Sequence, residues 1–510
     1  MSSGKLRDVA VLTAATGLTR FAFRSHYLYD IDSVNFALAL KRFDPGAYQP
    51  HPPGYFLYVG LGRLVNLIFH DANTALVAIS IFFSCAAVAA IYVLTENWFG
   101  RSAASFAALI FLCSPLAWFH GTVALTYIVE AFFSASVGYL CWRVYGGAGR
   151  FVLPAAMLLG VAAGFRPSSL LFLGPLFLFS LGGVGSKPAV GGIGALVLTV
   201  VAWLAPMIRI SGAKSYISSL VSLWLTVPAK GSVFNSSVAN SVVRAFVVAG
   251  IYFLCFGCAA LLPAWRPGTS DHGDRRKTLF TRVWIAPGLL FFTFVFLKFV
   301  NSGYLLILMP PICAWLGLRA AEWYRHLRVG RPLKMLSIAG CAAVNTAIFL
   351  WAPFYFSYRE VRLFEAELRN IIATLPRVAP PGETMIVGFD SHFLGYRQAG
   401  YYLPEYLTVQ FPEVRLGAGT SVFAMFDRDT GVKSRLVTTS IRNFVFFPLP
   451  SDDTEYSEYV AGVLRRLPAQ DLRLISRGGH EYVMGPIRDL PLLFPASAPE
   501  ALAAARGSAR

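Results

Sequence analysis

Tyr29-Asp30-Ile31-Asp32-Ser33 is the densest polar group in the apolar part of this sequence, and its chemical core is a pair of carboxylates at i and i+2. A carboxylate at the edge of a low-dielectric region is costly unless it binds something. Such a pair could act as a general base or supply oxygens to a divalent cation. A plainer reading stays open: Asp30 or Asp32 caps a helix running from Ser33 towards Arg42, because Asp and Ser accept hydrogen bonds from the first unpaired N–H groups of a helix. Further along come Asp44 and the run Gln49-Pro50-His51-Pro52-Pro53-Gly54-Tyr55, which adds an acid and an imidazole. Three of the ten acids in residues 1–356 fall in this stretch.

The elements that must hold these residues are dictated by composition. The chain has 510 residues, 56% of them hydrophobic and only 14% charged, too few ionisable side chains to solvate a globular surface. Runs at 74–94, 189–207, 242–265, 284–299 and 334–356 approach or exceed the roughly 20 residues that cross a hydrocarbon core. In lipid these must be helices, since each unpaired backbone amide would cost several kcal/mol. The first run, 9–23, carries Arg20 and Arg24 and lacks a small-residue cleavage site, so it reads as an uncleaved membrane helix.

The net charge of +17 is unevenly spread. Residues 1–356 hold 27 Lys and Arg against 10 Asp and Glu, whereas 357–510 hold 17 of each. Nucleic acid is not implied; a basic membrane part is expected from cytoplasmic loops that face anionic lipid. All seven cysteines lie in or beside apolar runs, and the CxxC spacing of Cys255 and Cys258, with no second ligand pair, reads as helix packing.

Loops rich in Arg and Lys, around 266–282 and 319–334, belong inside, as does the N-terminus with Lys5 and Arg7. About twelve apolar runs cannot satisfy both ends, so one must not cross. The run 55–69, broken by Gly60, Gly62, Arg63 and Asn66, suits a helix lying in the interface. About eleven spans remain, residues 26–73 become an outer loop, and the tail 357–510 is also outside. That tail alternates strand-like runs at 384–389, 406–411 and 443–447 with a helical pattern at 454–467, the mark of a small α/β domain. The expected organisation is thus a membrane domain over 1–356 followed by an extracytoplasmic α/β domain over 357–510.

An Asp-Ser after the first membrane helix, a short amphipathic helix, and His51-Pro52-Pro53-Gly54-Tyr55 opening an interfacial helix together resemble the GT-C glycosyltransferases, in particular the RgtA-like, protein-mannosyltransferase and aminoarabinose-transferase relatives. The resemblance covers roughly residues 10–325. It continues in Gly100-Arg101, in Cys113-Ser114-Pro115, from Tyr127 to Glu130, and from Gly303-Tyr304 to Pro310-Pro311. It implies a multi-pass protein of the cytoplasmic (inner) membrane with its site on the extracytoplasmic face. The donor would be a polyprenyl-phosphate sugar, and the acceptor a hydroxyl on a lipid, glycan or protein of the cell envelope. No cofactor is assigned with certainty, and metal dependence stays open: Asp30 and Asp32 could hold a divalent cation but supply only part of a six-oxygen shell.

Carried over by position, Asp32 matches the catalytic carboxylate and Asp30 is the close second. His51 stands where relatives carry Lys or His. Several relatives have an acid just before that position; this chain has Pro50, which shifts weight as second carboxylate to Asp30. Lys298, before Gly303-Tyr304, is a candidate partner of the donor phosphate, and its plainer role is a snorkelling lysine. Glu130, the only acid between Glu96 and Asp271, could bind sugar hydroxyls or pair with Arg166, which sits in the turn Gly164-Phe165-Arg166-Pro167. The outer loop 209–244 breaks the charge rule with Arg209, Lys214, Lys230 and Arg244, and such a violation can mark an anion site.

In the tail, Asp390-Ser391-His392 has no nucleophile elbow around it and reads as a turn after a strand, while Tyr396, Arg397, Tyr401 and Tyr402 could line an acceptor groove. Two competing functions remain. A transporter or flippase would show internal repeats and midplane polar residues, which this sequence lacks. A non-catalytic membrane subunit could keep the same fold.

Overall fold

The computed structural model describes residues 3–226, 232–235, 237–264, 275–326, 328–389, 391–411, 424–426, 433–434, 441–447, 473–477 and 480–486. The helix read at 454–467, together with Lys230 and Asp390, lies outside the described residues.

Helices dominate, as lipid requires. In chain order they are α1 (Ser3–Ala22), α2 (Ile31–Lys41), α3 (Phe56–Phe69), α4 (Ala72–Phe99), α5 (Arg101–Leu112), α6 (Pro115–His120), α7 (Tyr127–Tyr145), α8 (Val152–Phe165) and α9 (Ser168–Ser180). They continue as α10 (Ser186–Ser211), α11 (Ala213–Thr226), α12 (Val238–Phe256), α13 (Arg275–Phe294), α14 (Met309–His326), α15 (Arg331–Trp351) and α16 (Tyr358–Val378), with α17 (Tyr396–Tyr402) inside the tail. The chain divides into two units: residues 1–26 with 52–361, and residues 27–51 with 362–510.

Among the described residues of the first unit, five helical stretches are long and apolar enough by length and composition to cross a membrane: Ala72–Phe99, Ser186–Ser211, Val238–Leu262, Phe299–His326 and Arg331–Trp351. Length and composition thus identify fewer crossings than the about eleven expected from charge parity; Arg101–Leu112, Gly149–Phe165 and Ser168–Gly183 are apolar but shorter. Burial sorts the long stretches. Phe299–His326 and Ala72–Phe99 are the most buried of them and so are central, whereas Ser186–Ser211 and Arg331–Trp351 are mostly exposed and turn apolar side chains outward, the pattern of helices solvated by lipid. Small residues set the central packing: a Cβ on Gly317 of α14 would lie 2.4 Å from the Ala103 carbonyl oxygen of α5, so only glycine allows this approach.

Helix α3 has 14 residues, about 21 Å of helix, short of the roughly 30 Å hydrocarbon core. Leu64, Leu67, Ile68 and Phe69 on it are exposed, as in a helix lying at an interface.

Among the described residues, the second unit holds a seven-stranded sheet of order β4-β3-β2-β1-β5-β7-β6. Its strands are β1 (Thr384–Phe389), β2 (Leu407–Phe411), β3 (Ala424–Phe426), β4 (Lys433–Ser434), β5 (Asn443–Phe446), β6 (Arg473–Arg477) and β7 (His480–Pro486). Strand β1 pairs in parallel with β2 on one side and β5 on the other, Ile386 standing opposite both Thr408 and Val445. The remaining pairings are antiparallel. Helix α17 is the crossover from β1 to β2, so the loop that opens it lies at the carboxyl end of a strand with parallel neighbours on both sides. Ligand sites of open α/β sheets form at that place. Residues 27–51, which carry α2, belong to this same unit.

Candidate active site

Helix α2 starts where the sequence allows a cap. Asp30 has extended backbone angles (φ −105°, ψ 156°), and its Oδ1 accepts the Asp32 N–H at 2.8 Å. A cap of this kind contributes about 1 kcal/mol. Its other oxygen, Oδ2, lies 3.5 Å from His392 Nδ1, and Asp30 is buried. Asp30 is therefore the residue that the capping reading described.

Asp32 is different. It sits in the first turn of α2, where the helix dipole favours a negative charge, and its side chain keeps 24% exposure. Its Oδ1 lies 3.1 Å from His51 Nδ1 and accepts the Asn35 Nδ2–H at 3.4 Å. After α2 the chain doubles back: Asp44 Oδ1 accepts the N–H groups of Gly46 and Ala47, and Asp44 pairs with Gln49 as an antiparallel bridge. His51 then packs its ring 5.6 Å from that of Phe36 on α2. Turn chemistry and the buried face of α2 thus deliver an imidazole to a carboxylate at the opening of the helix. Ser33 Oγ, Asn35 Oδ1 and Gln49 Nε2 are buried nearby in sequence without a hydrogen-bond partner among the described residues.

The loop after β1 completes this group. The His392 carbonyl accepts the Ile31 N–H at 2.8 Å and the Gln398 Nε2–H at 3.2 Å, and the Tyr402 hydroxyl accepts the Leu28 N–H at 2.8 Å. Tyr29 packs its ring 4.7 Å from Phe393, and Arg397 places its guanidinium 5.7 Å from the Tyr48 ring.

The first unit holds a second polar cluster. Pro167 forces Arg166 out of the helical region (φ −152°, ψ 105°), which ends α8 and turns the side chain inward. Arg166 is buried, its Nε 3.1 Å from Glu130 Oε2 and its Nη1 donating to Thr126 Oγ1 at 2.6 Å. Ser168 Oγ donates to Glu130 Oε1 at 2.8 Å. The rings of Tyr127, Tyr304 and Tyr55 stand 4.0, 4.5 and 5.7 Å from the guanidinium carbon. His120 packs on Tyr127, and both of its ring nitrogens are buried without a hydrogen-bond partner among the described residues. Gly303 closes the cluster: a Cβ there would lie 2.5 Å from Tyr127 Cγ and 2.6 Å from His120 Nε2.

Across 98% of this chain and 99% of the other, the structure superposes on that of ArnT from Cupriavidus metallidurans bound to undecaprenyl phosphate, with a TM-score of 0.56 at 12% identity. The chain has a GT-C-type fold. The apo form of the same ArnT aligns over 97% of this chain and 98% of its own at 13% identity with a TM-score of 0.49. An oligosaccharyltransferase from Archaeoglobus fulgidus aligns over 80% of this chain and 64% of its own at 12% identity with a TM-score of 0.44. No protein-family model matches the sequence, and no curated relative matches it.

Within this GT-C-type fold the expected site residues fall into three sets. Asp30, Asp32 and His51 come together in the second unit. Glu130, Arg166 and Tyr304 come together in the first. Lys298, at the cap of the 3-10 segment Phe299–Leu308, and Arg209 and Lys214, on either side of Gly212, are exposed and form no ion pair among the described residues. Also among the described residues, no group of three or more His, Cys, Asp or Glu side chains is placed to hold a metal ion, so Asp30 and Asp32 have no third ligand of that kind for a divalent cation.

Two residues of these clusters escaped the sequence reading. His120 carries no motif of its own. His392 was visible only as part of a turn after a strand, a reading that is correct for Ser391, whose Oγ accepts the Phe393 N–H, but silent about the partner that the turn meets.

Proposed function

We propose that this protein transfers a sugar from a polyprenyl-phosphate donor to an acceptor hydroxyl, with Asp32 as the general base. The reading rests on one observation above the rest. Of the two carboxylates opening α2, each of which faces an imidazole, Asp30 is buried and occupied as a cap, whereas Asp32 keeps 24% exposure. A base must reach a proton, and the exposed carboxylate is the one that can.

In this reaction the Asp32 carboxylate takes the proton of the acceptor hydroxyl. The acceptor oxygen attacks the anomeric carbon on the face opposite the phosphate, the bond from that carbon to the phosphate oxygen breaks, and polyprenyl phosphate leaves with inverted configuration at the sugar. The charge developing on the departing phosphate calls for fixed cations or hydrogen-bond donors, each worth roughly 3–4 kcal/mol in a water-poor site. Lys298 is the first candidate, followed by Arg209 and Lys214, because their charges are exposed and, among the described residues, not neutralised by an ion pair. Arg166 is already matched by Glu130, so its role is to hold Tyr127 and Tyr304 in place. The fold supports the same ligand class, since the ArnT structure that shares it holds undecaprenyl phosphate. The protein would act at the extracytoplasmic face of the cytoplasmic membrane, on a lipid, glycan or protein acceptor.

The test uses native membranes supplied with radiolabelled undecaprenyl-phosphate hexoses and pentoses. Asp32→Asn should lower transfer about 100-fold or more, the scale of general-base catalysis. Asp30→Asn should lose clearly less than Asp32→Asn, because Asn still caps the helix and only the oxygen facing His392 is changed. Undiminished transfer by a well-expressed Asp32→Asn protein sinks the assignment.

A further inference from the structure

We infer that His392, in the loop between β1 and α17, is a positioning residue for the carboxylate pair, so that the C-terminal α/β domain is a working part of the catalytic apparatus. The inference rests on the proposed role of Asp32 but concerns a different residue, more than three hundred positions further along the chain.

Three observations within one unit carry it. First, His392 grips the start of α2 twice: its carbonyl accepts the Ile31 N–H at 2.8 Å, and its Nδ1 lies 3.5 Å from Asp30 Oδ2. The N–H groups of a first helical turn have no partner inside the helix, so an acceptor supplied from elsewhere fixes where the helix begins. Second, Asp30 passes that constraint on. Its remaining oxygen, Oδ1, holds the backbone N–H of Asp32 itself at 2.8 Å, so the direction of the proposed base follows from how Asp30 is held. Third, the loop is braced. Gln398 of α17 donates to the His392 carbonyl through Nε2 at 3.2 Å and accepts the Gly395 N–H through Oε1 at 3.1 Å. Tyr402, at the far end of the same helix, accepts the Leu28 N–H. The loop also leaves the carboxyl end of β1 where β2 and β5 flank that strand in parallel, the place at which α/β sheets present functional loops.

His392 therefore acts through Asp30. Sequence reading assigned the tail no part in the site beyond an acceptor groove, yet residues 27–51 fold with the tail as one unit. A small displacement of a catalytic group costs rate far more than it costs substrate binding, which gives the role a kinetic signature.

Full-length His392→Ala, His392→Asn and His392→Gln proteins would be compared with wild type and Asp32→Asn in membranes supplied with radiolabelled undecaprenyl-phosphate hexoses and pentoses. Thermal unfolding in detergent would run in parallel. The expected result for His392→Ala is a fall in kcat of about tenfold or more, with donor KM within about twofold and an unchanged unfolding temperature. His392→Asn should recover most of the loss, because its amide nitrogen occupies nearly the place of Nδ1. His392→Gln, which places its amide nearer to Nε2, should recover less. If Asp32→Asn abolishes transfer while His392→Ala retains wild-type kcat, the inference falls and the proposed function stands. If His392→Ala merely lowers the unfolding temperature, and His392→Asn does so equally, the residue is structural and the inference falls as well. Undiminished transfer by Asp32→Asn removes the proposed function and the inference together.

Discussion

His51 Nδ1 lies 3.1 Å from Asp32 Oδ1, although helix α2 and a doubled-back turn separate the two in the chain. An imidazole at this distance limits the directions the carboxylate can take. Removing it as His51→Ala should lower kcat about tenfold, roughly 1.4 kcal/mol of barrier, with the protein still folded. His51→Asn should lose less, because its amide sits near the Nδ1 position. Steady-state transfer from a labelled donor checks both variants, and a His51→Ala protein with wild-type kcat would reduce the pair to packing.

Glu130 and Arg166 form an ion pair buried from water, held further by Ser168 and Thr126. Breaking such a pair strands a charge and costs about 3–5 kcal/mol, whereas removing both partners costs less. Glu130→Gln and Arg166→Gln should each lower the unfolding temperature and the yield of folded protein in detergent, and the double variant should regain part of the loss. Single variants that keep wild-type stability but lose transfer would instead make the pair a substrate contact.

The topology read from charge makes a separate claim. If the charge pattern is read correctly, a phosphatase reporter fused after Phe69 and another after Phe356 should both be active on the outer side, since that reading makes α3, with 14 residues, a helix that does not cross. An inactive fusion at Phe69 with an active one at Phe356 would mean that α3 crosses after all.

Much of this was legible in the residues because it depends on local periodicity. Long apolar runs announced membrane helices, and the expected strands at 384–389 and 443–447 appear as β1 over Thr384–Phe389 and β5 over Asn443–Phe446. The capping of α2 by a member of the Asp30/Asp32 pair was also readable, since a cap joins residues two or three apart. Residues 55–69 were expected to form a short helix lying in the interface, and a helix of 14 residues, α3, does run over Phe56–Phe69.

The sequence by itself determined that the chain lives in lipid, that carboxylates gather after its first helix, and that its tail alternates strand and helix. Only the tertiary structure decided which aspartate caps and which stays accessible, that Glu130 is matched by Arg166, and that His392 meets Asp30. The division has a physical cause. Helix and strand periods, caps and turns are set by atoms a few residues apart, so composition and spacing encode them. The partner of a buried charge is chosen by how whole elements pack, and no short-range pattern records that choice.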